Sequence, residues 1–171
     1  MKTIKKASLL FASLALVLGA GLVGNSDTKE VKAASETYTY TFISGIFSGN
    51  GTKELNGINW TLTNNGNHYG YDKDKGLQIG SGKNPAKTLS LSTSDFTNNI
   101  ISVTVNTSGA SSIKASISAT IGGETIGSSQ SISATATPYS FENTTSATGE
   151  LVLSWTQTSS KAIYIKSIVV E

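Results

Sequence analysis

The chain has 171 residues, with 13 basic residues that are all lysine, 11 acids, one histidine and no cysteine. The lack of cysteine excludes disulfides and thiolate-held metal centres. The lack of arginine removes the side chain that grips phosphates and base edges bidentately, so nucleic acid is not an expected partner.

Residues 1–34 read as a secretory signal. Lys2, Lys5 and Lys6 form a basic start, residues 7–23 are an apolar run, and Val31, Lys32 and Ala33 precede a cleavage point after Ala33 or Ala34. The run is close to the roughly 20 residues that cross a bilayer, but its flanks are those of a cleaved leader. The expectation is therefore a secreted, extracellular product with no membrane insertion after signal removal. Without a cysteine to lipidate or a sorting-type tail, it is expected to be released or held by non-covalent contacts. Five lysines and two acids leave with the leader, so eight lysines face nine acids in the remainder. The basic balance belongs to the precursor.

Beyond the leader the apolar pattern has period two. In chain order the alternating runs are residues 37–42, 58–63, 87–93, 100–107, 113–121, 131–141, 150–158 and 162–170, with a short ninth at residues 76–80. Gly, Asn and Ser clusters separate them. This predicts an all-β, antiparallel two-sheet β-sandwich, jelly-roll-like, of about 8–9 strands, formed by residues 35–171 as a single domain. Trp60 and Trp155 stand in alternating runs and are assigned to the core. The last run, AIYIKSIVV, does not alternate strictly, which predicts a central strand covered on both faces and paired with the first strand. Serine and threonine occupy the polar positions of most runs, keeping β-propensity without charge repulsion.

The stretches GINWTLTNNG, YGYDKDKGLQIGSGKNPAKTLSLST and SWTQTSSKAIYIKSIVVE resemble a jelly-roll β-sandwich accessory domain of secreted Gram-positive bacterial proteins, similar in general character to carbohydrate-binding modules. The resemblance spans residues 38–170. It implies a non-catalytic module found beside nucleases, adhesins or glycan-active enzymes, and it carries over no particular functional residue.

Chemistry concentrates in NHYGYDKDKGLQIGSGKNPAK, residues 67–87. A phosphate loop requires GxxxxGK[ST] between strand and helix; here Asn84 follows Lys83 and Leu77 stands where the first glycine belongs. An EF-hand counted from Asp72 has Gly76, Leu77 and Lys83 where an acid, a glycine and a glutamate are needed. Asp72 and Asp74 together with backbone carbonyls could hold a structural calcium, with Lys73 and Lys75 opposing it; otherwise no cofactor is expected. His68 is the only imidazole, no GxSxG elbow occurs, and no carboxylate pair sits in an apolar setting, so an enzyme is not expected.

What remains is an aromatic loop, in which glycines let His68, Tyr69 and Tyr71 approach a partner while Asn67, Asp72 and Asp74 take hydroxyl hydrogen bonds. Tyr69 is expected to be exposed and Tyr71 to lie nearer the core. The function expected is a secreted binding module for glycan or a cell-surface polymer. A protein-binding adhesin or assembly module and a small secreted hydrolase using His68 are the alternatives.

Overall fold

The computed structural model describes residues 36–171; the leader and its cleavage point lie outside the described residues. Twelve strands follow in chain order: β1 Tyr38–Thr41, β2 Gly51–Leu55, β3 Ile58–Asn64, β4 Tyr69–Asp72, β5 Gly76–Ile79, β6 Thr88–Thr93, β7 Ser102–Gly109, β8 Ala115–Ile121, β9 Glu124–Ser131, β10 Thr137–Glu142, β11 Leu151–Gln157 and β12 Ile163–Val170. They pair antiparallel into two six-stranded sheets. Sheet A has the order β10-β7-β12-β5-β4 with β1 also on β12, and sheet B the order β2-β3-β6-β11-β8-β9.

The all-β sandwich is thus as expected. Within it, β5-β12-β7-β10 and β6-β11-β8-β9 are the two four-stranded halves of a jelly roll, built from eight strands consecutive in sequence. β4, β2 and β3 extend its edges. Three of the strands, β2, β4 and β9, lie where no alternating run was read. β9 is a polar edge strand interrupted by Gly127 in the left-handed region, and residues 132–136, read as strand, form the connection to β10.

Period-two burial accounts for the core. Trp60, Leu62, Leu89, Leu91, Leu153 and Trp155 point inward from sheet B, and Leu77, Ile79, Val103, Val105, Phe141 and Ile165 meet them from sheet A. Both tryptophans are 0% exposed. Each indole N–H finds an acceptor, as a buried indole requires: Trp155 donates to Thr107 Oγ1 across the sandwich at 3.2 Å, and Trp60 to Tyr38 Oη at 3.1 Å.

The last strand explains its own irregular sequence. Ile163 and Ile165 face the core, and then a β-bulge at Lys166 shifts the phase so that Ile168 and Val170 face it too. The same bulge lets one edge of β12 serve two partners, β5 along Ile163–Ile165 and β1 from Ser167 to Val170. β12 is central and pairs with β1, as expected. It is not covered on both faces, however: Tyr164 and Val169 are half-buried on an outward face and Lys166 is exposed. Gly76 lies beside the bulge at φ 89°, where a Cβ would run into the Ile165 carbonyl.

The outward face of sheet B is a field of hydroxyls. Thr61 faces Ser92, Thr63 faces Ser90, and Ser154 sits between Ser90 and Ser118. Thr52 and Thr61 share a hydrogen bond of 2.8 Å, and Ser116 and Thr156 one of 3.2 Å.

Most of the acids lie at one end of the sandwich and four of the eight described lysines at the other, while Lys53 stands beside Glu54 and Asp72, Lys73, Asp74 and Lys75 share the β4–β5 turn. At one end Glu171 pairs its backbone with Ile101 and Ser102, Glu142 faces Ser102, Glu150 accepts from Gly122 beside Glu124, and Asp95 binds Asn59 opposite Glu54. At the other end Thr158 N donates to Lys114 O and Gln157 N to Lys87 O, Lys161 follows in the same connection, and the Lys83 turn lies against Ser160. No aspartate or glutamate occurs in residues 80–90, 109–118, 128–137 or 151–162, which form much of that second end.

One titration follows from the packing. Burial pushes the Tyr38 hydroxyl up to about 12, partly offset by the hydrogen bond from Trp60. A neutral phenol is therefore favoured in the fold, and its contribution is complete below the unfolded value near 10 and lost as pH climbs toward about 12. Urea melts should show stability falling between pH 10 and 12, and Tyr38→Phe should flatten that limb. An unchanged limb in the variant would assign the loss to other groups.

Candidate functional site

The stretch expected to be an aromatic loop is largely a hairpin. β4 runs antiparallel to β5 with Tyr69 facing Ile79 and Tyr71 facing Leu77, so both tyrosines share the face that β5 turns to the core. The turn is set by Asp72, whose Oδ1 accepts from the backbone N–H of Asp74 at 2.9 Å and of Lys75 at 3.1 Å. This is an Asx turn, and it uses the aspartate internally. Asp74 is exposed beside it. Among the described residues no group of three His, Asp or Glu side chains is placed to hold a metal ion.

β4 is the edge of sheet A, and the segment between β1 and β2 folds over it. Together they enclose a cleft of about 380 Å³. Ser44, Gly45, Phe47 and Ser48 make one wall, and residues 67–71 make the other. Four of the expected site residues, Asn67, His68, Tyr69 and Tyr71, therefore come together, whereas Asp72 and Asp74 do not line the cleft. Ile43, 58% exposed, precedes the first wall.

The two tyrosines play opposite parts to those expected. The Tyr69 ring packs against the core, and its hydroxyl donates to Asn50 Oδ1 at 2.8 Å while accepting from Asn64 Nδ2 at 2.7 Å. Asn64 is buried and locked in turn: its N–H and Nδ2 donate to Asn50 Oδ1 at 2.9 Å, and its Oδ1 accepts from Gly66 N at 2.7 Å. Such a closed amide network fixes the cleft wall because every member is partnered. Tyr71, one position beyond Gly70 and nearer the turn, is 39% exposed. The cause of the reversal is the segment 42–50, which covers the start of β4 rather than its end.

That segment and the Asn50–Asn64 pair are the parts of the candidate site that sequence reasoning missed. FISGIFSGN breaks the period-two pattern with Ile43, Ile46 and Phe47 among glycines, which is the one signal that it packs rather than merely connects. The cleft lining holds serines, an amide, an imidazole and phenols, with no carboxylate and no lysine. Chemically it can offer an aromatic face, hydroxyl and amide hydrogen bonds, and no acid–base pair of carboxylates.

Two further depressions lie on the outward face of sheet B at its lysine-bearing end. One, of about 350 Å³, is floored by Ser90, Ser154 and Thr88; the other, of about 520 Å³, by Ser116, Ser131, Ile113 and Ile132. Thr156 belongs to both.

The sequence matches no model of a known protein family, and no curated protein matches it. Among solved structures it is similar to the carbohydrate-binding module CBM36 in complex with calcium and xylotriose, at 20% identity and a TM-score of 0.40 over 64% of this chain and 93% of that one. It is also similar to a family 29 carbohydrate-binding module from Piromyces equi, at 14% identity and a TM-score of 0.45 over 80% of this chain and 91% of that one. A third is the CBM22-1 xylan-binding domain from Paenibacillus barcinonensis, at 12% identity and a TM-score of 0.43 over 78% of this chain and 92% of that one. The two-sheet assignment rests on the strand pairing of the chain itself.

Proposed function

We propose that this is an exported, non-catalytic module that binds glycan, with Tyr71 as the stacking surface. The observation that carries the reading is the cleft at the β4 edge, where an exposed tyrosine ring stands beside Ser44, Ser48, Asn67 and His68 and no carboxylate is present. A pyranose ring offers apolar C–H faces and a rim of hydroxyls. An aromatic face surrounded by small polar groups complements both, as ligand sites with an apolar wall and a few placed hydrogen-bonding groups generally do. The hydrolase alternative needs an acid or base partner for His68, and the cleft lining supplies no carboxylate for it.

The test separates binding from stability. Tyr71→Ala should abolish retention on insoluble polysaccharide, or on the responding positions of a glycan array, while moving the urea midpoint little, because the ring is already partly in solvent. Tyr69→Ala should destabilise by about 2–4 kcal/mol, since it empties a packed position and leaves the Asn50–Asn64 amides short of a partner. Undiminished binding by Tyr71→Ala, with the fold intact, would sink the assignment of this cleft.

A further inference from the structure

The acids and lysines could have been interspersed around the molecule. Instead four of the eight lysines among the described residues, Lys83, Lys87, Lys114 and Lys161, gather at one end, where the neighbouring segments carry no acid. They are not equivalent. Lys87 is spent on the fold: its ammonium donates to Thr158 O at 3.0 Å, Ser159 O at 2.7 Å and Ser160 Oγ at 3.2 Å. That pins the β11–β12 connection, to which Lys114 is bonded through its backbone and of which Lys161 is part. Lys83 and Lys114 are exposed.

Lys114 also lines the depression of about 520 Å³, whose other walls are Ile113 and Ile132 for apolar contact and Ser116, Ser131 and Thr156 for hydroxyl contact. This is a site with three complementary elements: a small apolar floor, a hydroxyl wall and a cation. Through Thr156 it continues into the second depression, so a ligand longer than one ring could lie across the strands of sheet B.

We infer that this end is a second contact surface and that it takes an anionic glycan chain, the apolar floor and hydroxyls meeting the sugar and Lys83, Lys114 and Lys161 meeting its carboxylates or phosphates. The inference rests on the glycan reading above and adds the charge class of the polymer. A near-neutral protein attracts a polyanion when its cations are segregated, because the local potential rather than the net charge steers approach. Binding of this kind releases condensed counterions and weakens steeply with salt. The acidic end provides the rest of the discrimination, repelling the same polymer and allowing one orientation.

The experiment measures binding of the full exported chain to three immobilised polymers: polygalacturonate for carboxylates, poly(glycerol phosphate) for phosphodiesters, and a neutral glucan. The triple variant Lys83→Gln, Lys114→Gln, Lys161→Gln should bind at least one of the two polyanions roughly tenfold more weakly. It should also lose most of the salt dependence seen between about 50 mM and about 200 mM sodium chloride. Its urea midpoint should not move, because Lys87 is untouched.

The polymer on which the loss occurs identifies the anion. Loss with the lysine variant but not with Tyr71→Ala would keep this inference and remove the tyrosine cleft. Loss with Tyr71→Ala alone, or equal binding of the triple variant to every polymer, overturns the inference while leaving the tyrosine cleft standing. Concentration-dependent growth in sedimenting mass at low salt, abolished by the triple variant without any polyanion effect, would also overturn it. The occupant would then be the acidic end of a second copy.

Discussion

A chain ending at Lys161 is expected not to fold. The deletion removes β12, which contributes Ile163, Ile165, Ile168 and Val170 to the core, all at most 3% exposed. Each buried aliphatic side chain is worth about 1.5–3 kcal/mol relative to exposure, so the four together, about 6–12 kcal/mol, are comparable to a whole-domain stability of about 5–15 kcal/mol. The loss of backbone pairing is worse placed still. β12 bonds to β7 on one side and to β5 and β1 on the other, so its removal leaves three strands with unpaired edges inside sheet A. Circular dichroism and urea titration of the truncated chain should show no cooperative transition. A soluble product with a sharp melt would show that sheet B and the rest of sheet A suffice, against the topology described.

Trp155→Ala is expected to be the costliest single truncation. Removing a fully buried tryptophan costs about 3–5 kcal/mol through lost transfer energy and an unfilled cavity. Here there is an added polar loss: Trp155 Nε1 donates to Thr107 Oγ1 in the opposite sheet, which itself donates to the Tyr164 carbonyl of the neighbouring strand β12. The Trp155–Thr107 bond is a buried side-chain link between the two layers. Trp155→Phe keeps most of the volume and removes only the bond, so it should cost about 1–2 kcal/mol. A cost for Trp155→Ala no larger than for Trp155→Phe would show that the cavity collapses and that packing there is loose.

The fold class could be read because each buried strand of sheet B, and β7 of sheet A, obeys strict alternation. Leu89 and Leu91, Val103 and Val105, and Leu153 and Trp155 repeat at period two with hydroxyls or amides between them. The pattern failed where structure is set by something other than burial. β2 and β9 are edge strands whose residues are mostly exposed, so nothing obliges them to alternate. In β12 the alternation is present but hidden by the bulge, and the run looked continuously apolar. β4 escaped because YGYD carries its signal in only two residues, and glycine and aspartate argued for a turn, a role that Asp72 fills only at the end of the strand.

The candidate site divides in the same way. Composition was enough to collect Asn67, His68, Tyr69 and Tyr71, because aromatics among glycines are visible in one dimension. Which tyrosine would be covered was not, since the cover comes from Ser44, Phe47 and Asn50, some twenty residues earlier in the chain. The network of Asn50 and Asn64 depends on two amides meeting across strands, and a single sequence does not reveal that they meet. Charge segregation was equally invisible. Counting lysines and acids yields a balance near zero, whereas the jelly-roll connections bring Lys83, Lys87, Lys114 and Lys161 together at an end free of acids.

The placement of β12 also sets the order of events during synthesis. Its partner strands β5 and β7 are translated long before it, and at about 5–20 residues per second Ile165 emerges several seconds after Leu77, with which it pairs. Non-local pairing of this kind makes closure slow. Until residues through Val170 are available sheet A cannot close around β12. The same delay leaves strands β5 and β7 open to other nascent chains, so the yield of native protein should depend on how quickly that final strand is delivered.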